Sequence, residues 1–151
     1  MEGATGVDGR TPTIWDAFCA RPDSIADGTN GDVACDQYHQ YRSDVVTLGG
    51  LGLTGYRLSI AWSRIVDEVT RRVNPAGLSY YDRLVDELLA ADIRPYPTSY
   101  HWDLPQFLSD RGGWLNRDTA LRFADYAEVM TDVLGDRIQT WTTINDPPTP
   151  R

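Results

Sequence analysis

The sequence predicts an α/β fold built on parallel strands, and three observations carry that prediction. Helix-like and strand-like hydrophobic patterns alternate along the chain in the order α-β-α-β-α-β. The stretches between strand-like segments are long enough to hold a helix, as parallel strands joined by right-handed crossovers require. Polar residues gather at the C-terminal ends of the strand-like segments, on the side where parallel sheets carry their chemistry. A doubly wound sheet and part of a (β/α)8 barrel both satisfy these observations.

Each element has its own justification. Residues 5–37 are rich in Gly, Asp, Pro and Thr and read as a long irregular loop, with Ile14-Trp15-Asp16-Ala17-Phe18 as a short packed turn. From about Tyr38, apolar residues recur at helical steps through Tyr41, Val45, Leu48 and Leu51. Gly49-Gly50 near the end of that helix is expected to cost about 2 kcal/mol relative to two alanines. Tyr56 to Trp62 is rich in aromatic and β-branched residues and reads as a strand. After Asn74-Pro75 comes the strongest helical pattern. Leu78, Tyr81, Leu84, Val85, Leu88 and Leu89 form one apolar stripe, and Asp82, Arg83, Asp86 and Glu87 face water. Ile93 to Tyr100 is the next strand, interrupted by Pro97, which removes a ladder donor. Gly112-Gly113 marks a turn and Asn116 a helix N-cap. The next helix carries Phe123, Ala127, Met130, Val133 and Leu134, Gly135 stops it, and Ile138 to Ile144 forms the last strand.

The 151 residues suit one domain, divided into the irregular region 1–37 and the βα units of 38–151. A net charge of −8, with Arg71-Arg72 as the only basic doublet, excludes a nucleic-acid or anionic-membrane partner, because no basic stripe exists to neutralise phosphates. No apolar run approaches the roughly 20 residues that span a bilayer. Met1-Glu2-Gly3-Ala4 has neither the basic start nor the apolar stretch of a signal peptide, so a cytoplasmic location is expected. Cys19 and Cys35 read as free thiols, and Cys35-x3-His39 as a chance spacing rather than a metal site. No Gly-rich phosphate loop comes after a strand, which weighs against a dinucleotide fold.

The candidate site lies at three strand ends: Arg57 in the first strand, His101-Trp102-Asp103 after the second, and Asn145-Asp146 after the third. Each residue has a structural reading of its own. His101 is a satisfied histidine, Trp62 and Trp102 are core, and Asp146 before Pro147 is a turn former. Their joint placement on one rim of a parallel sheet suggests more. An acid, an amide, an imidazole and an indole suit a carbohydrate, whose hydroxyls take polar contacts and whose C–H face stacks on an aromatic ring.

At these residues the chain resembles glycoside hydrolase family 1, the β-glucosidase family. Glu2-Gly3-Ala4 is similar to the segment after the family's first strand, and Pro12-Thr13-Ile14-Trp15-Asp16 and Gly31-Asp32-Val33-Ala34-Cys35-Asp36-Gln37-Tyr38-His39 to its loop and first helix. Tyr56 to Ile65 resembles its second strand and Val73-Asn74-Pro75-Ala76-Gly77-Leu78 its next helix start. Tyr100-His101-Trp102-Asp103-Leu104-Pro105-Gln106 and Gly112-Gly113-Trp114 are close to diagnostic, and Thr143-Ile144-Asn145-Asp146-Pro147 occupies the place of the family's Thr-Phe-Asn-Glu-Pro. The resemblance covers essentially the whole chain.

It implies a partial (β/α)8 TIM barrel covering roughly strands two to four with their helices. It also implies a retaining mechanism, with two carboxylates about 5–5.5 Å apart as acid/base and nucleophile. Carried over by position, Asp146 takes the acid/base place, Asn145 holds the sugar 2-hydroxyl, His101 and Trp102 bind the glycone, and Arg57 lies beside the nucleophile. No metal and no organic cofactor is implied, and the expected partner is a β-glucoside or oligosaccharide. Three departures qualify the expectation. The family's first strand, its strands five to eight and the nucleophile are missing, Asp146 is shorter than the family's Glu by about 1.5 Å, and Pro148 stands where an aromatic is usual. The chain is therefore expected to be a truncated fragment, inactive alone and prone to self-association through exposed sheet edges. A non-catalytic sugar-binding half-barrel, or one half of a split enzyme, is the alternative.

Overall fold

A computed structural model of the chain describes residues 2–147. In chain order the elements are α1 (Ile14–Cys19), α2 (Gln37–Gly50), β1 (Gly55–Ser59), α3 (Trp62–Ile65), β2 (Val66–Asp67), β3 (Arg72–Val73), α4 (Pro75–Ala90), β4 (Arg94–Tyr100), α5 (Gln106–Ser109), α6 (Arg117–Leu134) and β5 (Thr142–Ile144). β1, β4 and β5 form a parallel sheet in that order, and β2 and β3 make a small antiparallel hairpin. The predicted alternation of helix and strand is therefore present, and Pro148 lies outside the described residues.

The strongest helix is the centre of the packing. Pro75 opens α4, and the Asn74 side chain accepts a hydrogen bond from the Ala76 amide. Its stripe is buried at Tyr80, Tyr81, Leu84, Val85 and Leu88, while Leu78 and Leu89 lie at the margin. α4 packs on β4 and is flanked by α2 and α6, which contribute Tyr38, Tyr41 and Val45, and Tyr126, Met130 and Leu134. The Asn116 side chain caps α6 through the Asp118 amide as expected. Gly135 ends that helix, but in right-handed conformation with φ −67° rather than as a left-handed stop. The chain turns instead through Asp136-Arg137, and Arg137 ties the turn back to Asp82 and Asp86 of α4 at 2.6 and 2.5 Å.

Several predicted boundaries move. The first strand stops at Ser59. Ile60 still donates to Thr98, but the Ala61 amide turns to the Tyr81 hydroxyl, and Trp62 begins a short helix instead of ending a strand. Trp62 is wholly buried, stacked on Tyr126 with ring centroids 5.2 Å apart, its indole N–H donating to Glu68. The last strand holds only Thr142–Ile144, and the packed turn near the N-terminus is a helix, α1. Arg71 and Arg72, expected on a loop, form the tip and second strand of the hairpin, where Arg71 pairs with Glu68 and Asp125. Gly49-Gly50 occupies the exposed last turn of α2, where a frayed end makes the entropic cost smaller than in a helix interior.

Pro97 costs the sheet no bond. The Arg94 amide donates to Thr54 and the Thr98 carbonyl accepts from Ile60, so between Arg94 and Thr98 the even-numbered residues turn their polar backbone to β1. Pro95 and Pro97 face the opposite flank, where pairing with β5 begins only at Thr98 opposite Thr142.

The N-terminal segment is anchored by Arg64, which lies in α3 just past the C-terminal end of β1 and is wholly buried. Its guanidinium donates to the Glu2 carboxylate at 2.7 Å and to the carbonyls of Gly3 and Ala4 at 3.1 Å, and lies 4.1 Å over the Tyr38 ring. Tyr81 donates to the other Glu2 oxygen at 2.6 Å. Gly77 lets α4 approach this layer, since a Cβ there would sit 2.0 Å from the Arg64 carbonyl oxygen.

Candidate active site

Parallel pairing puts the C-terminal ends of β1, β4 and β5 on one rim, and the site is built from residues at and just beyond those ends. On β1, Leu58 is buried under the helices while Arg57 and Ser59 point to the open face. Arg57 donates to Asn145 Oδ1 at 2.5 Å, just after β5. Asn145 donates through Nδ2 to Asp146 Oδ2 at 3.1 Å, and its backbone carbonyl accepts the Trp102 indole N–H at 2.9 Å. Asn145 thus joins Arg57, Trp102 and Asp146 in one hydrogen-bonded unit. Its amide acceptor is used, and one of its two N–H groups remains for a ligand.

His101 stands beside this unit rather than in it. Its Nδ1 shares a hydrogen bond of 2.9 Å with Ser59 Oγ, and its backbone N–H donates to Asp103 Oδ1 at 3.3 Å. An open cavity of about 380 Å³ is lined by Arg57, Ser59, His101 and Asp103 and floored by Glu2 and Arg10. Trp102, Asn145 and Asp146 do not line it. Burial pushes the Asp103 carboxyl up to about 6, and the same cause raises the Tyr100 hydroxyl.

Two rim residues hold left-handed backbone, Trp102 with φ 67° and Asp146 with φ 41°. Such conformations cost on the order of 1–3 kcal/mol each and collect at functional sites. Trp102 is half-exposed, so of the two tryptophans with a core reading only Trp62 is core. The sequence places Arg57, His101, Trp102, Asn145 and Asp146 on the rim, and all five are there. Ser59 escapes such reasoning, and Asp103 gains no separate role from it. The alternation of β1 around the buried Leu58 is the signal that could have found Ser59. Among the described residues no group of three His, Cys, Asp or Glu side chains is placed to hold a metal ion, and no helix is long and apolar enough to cross a membrane.

Residues 1–150 match the profile of Glycosyl hydrolase family 1. The chain belongs to that family. It is 56% identical over 147 residues to thermostable beta-glucosidase B of Thermobispora bispora, covering 97% of this chain and 31% of that protein. The crystal structure of the psychrophilic beta-glucosidase BglU from Micrococcus antarcticus superposes with a TM-score of 0.93 at 51% identity, over 97% of this chain and 31% of the other. The virulence factor SghA of Agrobacterium tumefaciens, in complex with its substrate analog salicin, gives a TM-score of 0.92 at 48% identity, over 96% and 32% of the two chains. The chain thus spans about a third of the length of each of these three proteins. Within family 1 its sheet is part of a (β/α)8 barrel, with β1, β4 and β5 as consecutive strands.

Proposed function

We propose that the chain carries the acid/base side of a β-glucosidase-type retaining site, one that hydrolyses terminal β-D-glucosyl or related residues. The observation that supports this most is the unit of Arg57, Asn145, Trp102 and Asp146 on one rim of a family 1 barrel segment. Asp146 is the group that protonates the departing glycosidic oxygen and then takes a proton from the attacking water. Asn145 offers its remaining N–H to a sugar hydroxyl, Trp102 its exposed ring face, and His101 the Nε2 that Ser59 leaves open. Arg57 lies on the open face toward the second carboxylate, which belongs to a part of the barrel outside these 151 residues.

On this reading the chain alone hydrolyses no aryl β-glucoside above the buffer control. The unpaired flanks of β1 and β5 also promote self-association, measurable as concentration-dependent sedimentation. The deciding experiment supplies the remaining strands in trans, as the first-strand segment and the C-terminal remainder of the Thermobispora bispora relative. Complementation restores turnover, and Asp146→Glu raises it on the order of a hundredfold by recovering the reach of the longer acid. Turnover by the chain alone that vanishes in Asp146→Ala contradicts the missing-nucleophile reading. Equal complemented turnover with Asp146→Ala and Asp146→Glu removes Asp146 from the acid/base role.

A further inference from the structure

We propose that Asp103 is a positioning residue that closes the turn after β4 and thereby aims both His101 and Trp102 at the sugar. This rests on the site reading above and names the group that organises one half of it.

The turn His101-Trp102-Asp103 has to do two things at once. It must present the imidazole to Ser59 on β1, at 2.9 Å, and the indole N–H to the Asn145 carbonyl beyond β5, at 2.9 Å. These targets lie on opposite sides of β4, the central strand of the sheet. Splaying two neighbouring side chains that far apart requires the backbone between them to reverse, and Trp102 accordingly has φ 67°. A bulky residue does not hold that conformation unaided.

Asp103 supplies the restraint. Its Oδ1 accepts the His101 amide across the turn. The segment behind it is fixed to the N-terminal region by the Ile14 amide on the Leu104 carbonyl and the Gln106 amide on the Pro12 carbonyl. The carboxylate therefore ties this fixed base to the turn that carries His101 and Trp102. It is partly buried at the cavity wall, among Arg10, Glu2 and His101. At neutral pH it is ionised despite the burial that raises its pKa.

The turn needs an acceptor at this place, not a charge, and that separates two variants. Asp103→Asn keeps an oxygen for the His101 amide, and Asp103→Ala does not. In the full chain labelled with 15N, the backbone amide of His101 and the indole N–H of Trp102 report the turn directly, and salicin serves as the ligand probe.

Asp103→Ala is expected to move both signals while leaving the signals of α4 and α6 in place, and to weaken salicin binding about tenfold. Asp103→Asn is expected to keep both signals near their original positions and to restore the affinity. Unmoved His101 and Trp102 signals in Asp103→Ala overturn the proposal. So does a general loss of structure in Asp103→Ala, which shows a structural role, or an Asp103→Asn variant displaced as far as the alanine. Absence of any salicin effect on the unmutated chain counts against the sugar-site reading. The positioning role is then decided by the two signals in the unliganded chain.

Discussion

Arg64 and Arg57 bring the same charge into two differently built regions. Arg64, in α3 just past the end of β1, has no exposed surface, its donors taken by Glu2 and backbone carbonyls and its face covered by Tyr38. Arg57 lies on the open face and donates to Asn145, a partner that still has a donor of its own to offer. The Arg64 region is close-packed, and the guanidinium itself is fully engaged. The rim is exposed and partly unsatisfied. A buried charge without partners is costly enough that the Arg64 cluster must be complete for the chain to fold. The rim can remain open because water satisfies it until a ligand does.

The largest test of that contrast is Glu2→Ala. It leaves Arg64 buried without its counter-charge, and urea unfolding should show a loss of about 3–5 kcal/mol. Gly77→Ala comes next. A methyl group 2.0 Å from the Arg64 carbonyl oxygen forces α4 away from the layer beneath it, with a cost of about 1–3 kcal/mol or more. On the rim the expected signs differ. The folded Asp103 carboxyl titrates at about 6 rather than at its ordinary 3.8, so folding disfavours its ionised form. Stability from this group is fully present below pH ~4, falls as pH rises toward 6, and is lost above. Asp103→Asn should therefore raise the melting temperature at pH 7 and flatten the profile between pH 4 and 6. An unchanged profile would falsify the assignment of that slope to Asp103. The smallest effect belongs to Arg57→Ala, which should change stability by less than about 1 kcal/mol because the pair is exposed. A loss as large as that of Glu2→Ala would erase the distinction between the two regions.

The rim is readable in the sequence because its residues come directly after strands and carry unusual side-chain types for a bland loop. Asn145 and Asp146 sit where a parallel strand must end, and the motif around His101 is contiguous. The Arg64 cluster is not readable in the same way. Glu2 and Arg64 are separated by all of α1, α2 and β1, and no periodicity links a carboxylate at one end of that stretch to a guanidinium at the other. The helix α3 escapes notice for a related reason. Trp62 and Ile65 are as hydrophobic in a buried helical turn as in a strand, and the turn is set by Tyr81, which captures the Ala61 amide from a different helix. The hairpin from Val66 to Val73 is two residues per strand, too short for alternation to register. The Asp103 environment depends on what covers it, and its neighbours Arg10 and Glu2 come from the other end of the chain.

Pro95 and Pro97 bear on how this sheet assembles. Because neither has an N–H to offer on the flank toward β5, an incoming strand finds donors only near the rim end of β4. A strand slipped toward the opposite end would meet two missing rungs, so mispairing is penalised before any side chain is compared. The two imino acids act as a register lock. They leave β5 one place to zip, and that place sets Asn145 and Asp146 down beside Trp102.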